Sequence, residues 1–95
     1  MKHYEVVVKF ILHQIGEPIE SENLSNTLIF KKYGEEVGIL YENVRLQAYQ
    51  FSIDRKLYET ILGMFYLDKK ELNEILKKIL YNLTGIQVSI IEANI

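Results

Sequence analysis

Ninety-five residues, 48% hydrophobic and 25% charged, carry enough apolar side chains for one buried core and too few for two, so a single domain over 1–95 is expected. A net charge of -2 gives no whole-molecule field that would draw the chain to nucleic acid or to an anionic membrane. The absence of cysteine excludes disulfides, thiolate nucleophiles and cysteine-bound metal centres.

The opening stretch MKHYEVVVKFILHQIGE has no small-residue cleavage site, and no apolar run is long enough to span a bilayer. A soluble, cytoplasmic protein without membrane contact is therefore expected. Ile, Lys, Asn and Tyr are abundant, whereas Ala occurs only at 48 and 93 and Arg only at 45 and 55. That bias resembles codon usage in an AT-rich genome, as in small proteins of several archaea, their viruses and many AT-rich bacteria, so such an origin is expected.

Residues 4–12 alternate: Tyr4, Val6, Val8, Phe10 and Leu12 share one face of a two-residue period, and His3, Glu5, Lys9 and His13 share the other. A strand is predicted, with Val7 and Ile11 as apolar intruders on its outer face. Gly16 and Pro18 end it.

Residues 19–33 admit two readings. A helix from about 21, capped by Ser21 and stopped by Gly34, would scatter its apolar residues around the wheel, so a strand over 27–33 is preferred. Val37, Ile39 and Tyr41 then alternate, as do Val44, Leu46 and Ala48 beyond Glu42-Asn43, the spacing of a hairpin with a two-residue turn. The alternation slips by one residue at Ala48-Tyr49, where a β-bulge would return Tyr49, Phe51 and Ile53 to the face of Val44 and Leu46.

Asp54 stands at an N-cap position, ahead of a helix with Leu57, Tyr58, Ile61, Leu62, Met64 and Phe65 on one side. Asp68 and Glu71 have the spacing of a capping box opening a second helix. Leu72, Ile75, Leu76, Ile79, Leu80 and Leu83 form its apolar stripe, and Gly85 ends it. Ile86, Val88 and Ile90 predict a last strand.

The expected fold is α+β: a mostly antiparallel sheet, built as a β-meander, a helical pair and a final strand, with two helices packed on one face. Were the segment from 21 helical, the order would become ferredoxin-like, β-α-β-β-α-β.

Chemistry is sparse. His3 and His13, the only histidines, would lie about 33 Å apart along a strand and could not share a metal ion within one chain. Asp54 and Asp68, the only aspartates, are accounted for as caps. No serine sits in a nucleophile elbow, and GEEVG has neither phosphate-loop nor dinucleotide-fingerprint spacing. No catalytic, cofactor-binding or metal-binding residue is nominated, and a non-enzymatic protein without a cofactor is expected.

The leading functional expectation is an interaction module that associates with itself through its open sheet face or an edge strand, another protein being the other candidate partner. Val7, Ile11 and Ile91 are the candidate contact residues, because they would put apolar area where no helix covers it. The alternative is weak nucleic-acid binding by Arg45, Arg55, Lys70, Lys77, Lys78 and Tyr81, against which Glu74 stands among the lysines as an ordinary solvated-helix pair. A small ligand-binding or enzymatic ferredoxin-like domain is the third reading.

Overall fold

Local capping chemistry sets the helix boundaries in the second half of the chain. The computed structural model, which describes residues 2–93, starts helix α2 (Arg55–Phe65) where the Asp54 carboxylate accepts the Leu57 N–H at 3.2 Å. Helix α3 (Lys69–Thr84) opens with a complete capping box: Asp68 Oδ1 accepts the Glu71 N–H at 2.8 Å and Glu71 Oε1 accepts the Asp68 N–H at 3.1 Å. Gly85 closes it in the left-handed region at φ 76°, donating to the Tyr81 carbonyl at 2.7 Å.

The first segment is a helix, α1 (Lys2–Ile15), where alternation predicted a strand. The same residues satisfy a second period: Val7, Ile11 and Ile15 lie four apart and are each 0% exposed. Val6 and Leu12, assigned to the inner face of a strand, are exposed. Val7 and Ile11 therefore do not face outward from a sheet; they belong to the core of their own chain.

Strands β1 (Pro18–Glu20), β2 (Thr27–Lys32), β3 (Glu35–Asn43) and β4 (Ala48–Asp54) form an antiparallel meander. Strand β5 (Val88–Ala93) joins β4 in parallel, giving the order β1-β2-β3-β4-β5. Residues 27–32 are strand as preferred, and the helix from 21 does not form. Ser21 caps a turn instead, its Oγ accepting the N–H groups of Asn23 and Leu24. With a helix first and β5 beside β4, the ferredoxin-like order is ruled out.

The turn and the bulge of the hairpin also move. Val44–Gln47 is a four-residue turn, closed by the Leu46 N–H on Asn43 Oδ1 at 3.1 Å and the Gln47 N–H on the Val44 carbonyl at 3.2 Å. The slip in alternation is this turn, and Val44 and Leu46 stand exposed on it. The register shift lies elsewhere, between Phe30 and Lys31 where β2 meets β3.

Among the described residues three helices, where two were expected, cover one face of the sheet. Helix α1 packs on β2 and β3, while α2 and α3 pack on β4 and β5. Phe30, Leu40, Phe51, Ile53 and Val88 supply the sheet's side of a single core. Phe30 and Phe51 meet edge to face, with ring centroids 5.2 Å apart. Gly38 leaves room for that pair, since a Cβ there would lie 2.4 Å from Phe51 Cζ.

Candidate interaction face

Among the described residues no helix covers the other face of the sheet, and cross-strand register fixes what that face displays. Ile19 pairs with Ile29, Ile29 with Ile39, Ile39 with Ser52, and Ser52 with Ile91, so one row across all five strands is isoleucine at four of its positions. None of the four belongs to the core cluster or to the side chains packed against it. Ile19 is 55% exposed and the other three are half-buried, Ile29 next to Ile39 and Ile91 beyond Ser52.

Polar residues border this row on both sides. Toward the β3–β4 turn, Gln50 Oε1 accepts from Tyr41 Oη at 3.2 Å and from Asn43 Nδ2 at 2.9 Å. Toward the other end, Lys31 stands opposite Glu36 across the bulge. An apolar centre with a polar surround is the make-up of a contact surface rather than of a catalytic pocket.

Of the three nominated association residues, only Ile91 lies on this face. Val7 and Ile11 are removed from it, because a helical period turns them into the core. Ile19, Ile29 and Ile39 were missed. Their signal was present: β2 and β3 have apolar residues on both faces, Leu28, Phe30 and Leu40 on one and Ile29 and Ile39 on the other.

The nominated nucleic-acid residues do not form one surface. Lys69 Nζ meets Glu92 Oε2 at 2.9 Å, which sets the start of α3 over the end of β5. Lys70, in the first turn of α3, and Arg55, just after β4, therefore lie at one end of the sheet. Lys77, Lys78 and Tyr81 come together near the opposite end, around a cleft that also includes Gln87 and Val88 at the start of β5. Arg45 sits on the exposed β3–β4 turn at that same end.

Titratable groups show little sign of a reactive centre. His3 Nε2 lies 3.1 Å from the Phe65 carbonyl oxygen, and its ring meets Phe65 edge-on with centroids 5.9 Å apart. On a helix the His3–His13 separation shrinks from the strand value to about 15 Å, still too far for a shared metal ion. Among the described residues no group of three or more His, Asp or Glu could hold a metal ion. Burial raises the Tyr58 hydroxyl above the ordinary tyrosine range, with Glu92 adding to the effect, and the hydroxyl donates to Asn73 Oδ1 at 2.7 Å. The hydrogen bond to Glu92 raises Lys69. Both belong to the seam between α2, α3 and β5 and have structural work there.

No helix among the described residues is long and apolar enough to cross a membrane. Compared with known proteins, the chain significantly matches no family model, no curated protein and no solved structure.

Proposed function

We propose that the protein is a non-enzymatic interaction module that pairs with a second copy of itself through the helix-free face of its sheet. The supporting observation is the row Ile19, Ile29, Ile39, Ser52 and Ile91, apolar on four of the five strands and turned away from the core. The surface is self-complementary in charge, since Lys31 and Glu36 offset one another. A twofold axis along the row sets isoleucine on isoleucine and brings Glu36 of each copy over Tyr41 of the other, avoiding a Glu36–Glu36 contact. Edge pairing through β1 is less favourable, because that strand has three residues and begins with Pro18.

Five strands about 4.8 Å apart and about 20 Å long give a footprint of roughly 480 Å² per copy. The pair would bury about 960 Å² in that measure, the small, reversible class of interface. We also propose a cytoplasmic location, which fractionation of the producing cells tests.

Sedimentation equilibrium up to about 1 mM tests the pairing, a range that reaches weak dimers. Mass should rise from 11.2 kDa toward twice that value with concentration. Ile29→Lys with Ile39→Lys should abolish the rise while leaving the far-ultraviolet circular dichroism unchanged. A wild-type protein that stays monomeric throughout overturns the proposal.

A further inference from the structure

We infer that the cleft between α1, the C-terminal half of α3 and the start of β5 binds a nucleotide unit, a heterocyclic base carrying a phosphate. The cleft measures about 500 Å³, within the size range of small-molecule sites. Its walls hold Tyr4, Lys77, Lys78, Tyr81, Asn82 and Gln87. None of its lining residues is acidic, although the chain as a whole has 13 acidic side chains against 11 basic ones.

The arrangement follows from helical spacing. Lys77 with Tyr81 and Lys78 with Asn82 are two adjacent i, i+4 pairs, so α3 presents two cations one turn before an aromatic ring and a carboxamide. Tyr4, in the first turn of α1, brings a second ring to the same space. Val88, at the start of β5, adds an apolar wall. Each group then has a counterpart on a nucleotide: ammonium groups for phosphate, phenol rings for the face of the base, and the amides of Asn82 and Gln87 for its polar edge.

Competing interactions are weak. Among the described residues Lys77 makes one ion pair, with Glu74 at 3.7 Å, the two side chains being 43% and 61% exposed. Lys77 and Lys78 stand about two turns before the end of α3 at Thr84, beyond the reach of the negative helix end, whose effect falls off within the last turn.

The test is a titration of ¹⁵N-labelled full-length protein with adenosine 5′-monophosphate, adenosine, inorganic phosphate and a short oligoadenylate. The monophosphate should move the amides of residues 77–82, 87 and 88 saturably, with adenosine and phosphate each binding about tenfold or more weakly. Tyr81→Ala, and Lys77→Ala with Lys78→Ala, should each weaken it about tenfold with the circular dichroism unchanged. Tighter, salt-sensitive binding of the oligoadenylate identifies a strand as the source of the nucleotide, and equal binding identifies free nucleotide; both support the site. No saturable shift at these residues by about 10 mM, phosphate matching the monophosphate, or unaffected variants would overturn it. The cleft lies on the helical side, so the Ile29→Lys, Ile39→Lys variant should bind as wild type does, whatever becomes of the pairing.

Discussion

Replacing Gly38 by Ala sets two effects of opposite sign against each other. Gly38 lies within β3 at ordinary negative-side backbone angles, so Ala carries no conformational strain and should stabilise by about 0.4–1 kcal/mol by restricting the unfolded chain. Against this, the new Cβ would stand 2.4 Å from Phe51 Cζ and 2.7 Å from Phe51 Cε1. The ring has nowhere to retreat, since Phe51 is 0% exposed and backed by Phe30, also 0% exposed. Overpacking of such a core costs about 1–3 kcal/mol, so the steric effect wins and the net loss is about 1–2 kcal/mol. For a domain of this size that lowers Tm by ~5–15 °C. Urea and thermal unfolding followed by far-ultraviolet circular dichroism read the change. Phe51→Leu, which shortens the offending side chain, should remove most of the penalty in the double variant, a coupling of about 1 kcal/mol. A Gly38→Ala protein as stable as wild type, or a double variant whose losses merely add, would refute the packing argument.

Ile11→Ala should cost about 2–5 kcal/mol, because Ile11 is 0% exposed at the centre of the core, whereas Ile39→Ala on the open face should cost less than about 1.5 kcal/mol in dilute monomer; denaturant melts of the two variants at low micromolar concentration check the order, and a larger loss for Ile39→Ala contradicts the assignment of faces. Tyr58 has a folded-state pKa raised above 10.0, so its neutral form is favoured by folding, its contribution is fully present below pH 10, and stability should fall as pH rises through the folded-state value. Tyr58→Phe should flatten that fall while lowering stability at neutral pH by about 1 kcal/mol through loss of the bond to Asn73, measured by urea melts from pH 7 to about 11.

The elements legible in the chain are those governed by neighbours in sequence. Asp54, the Asp68–Glu71 box and Gly85 act over one helical turn, so their positions predict the start of α2 and both ends of α3 without reference to the rest of the molecule, whereas the end of α2 at a left-handed Tyr66 has no such signal. The stripe Leu72, Ile75, Leu76, Ile79 and Leu80 likewise has one period and one reading, although Leu83, predicted as its last member, is exposed. Residues 4–15 have two. Their apolar positions satisfy both the two-residue and the 3.6-residue repeat, and Val-Val-Val-Lys-Phe-Ile favours extended backbone by propensity.

Tertiary structure resolved that ambiguity through the need for cover. Five strands span about 24 Å and a helix about 10 Å, so α2 and α3 leave the Phe30–Leu40 side of the sheet open unless a third helix lies on it. Helix α1 fills that place and buries Val7, Ile11 and Ile15 in doing so. The same event determined the candidate site. Local signals in the chain set where α2 starts, where α3 starts and stops, and that at least one β-face would be greasy; the packing of α1 against β2 and β3 assigned that face to Ile19, Ile29, Ile39 and Ile91, because burying a residue depends on what lies across from it, not on what lies beside it in the chain.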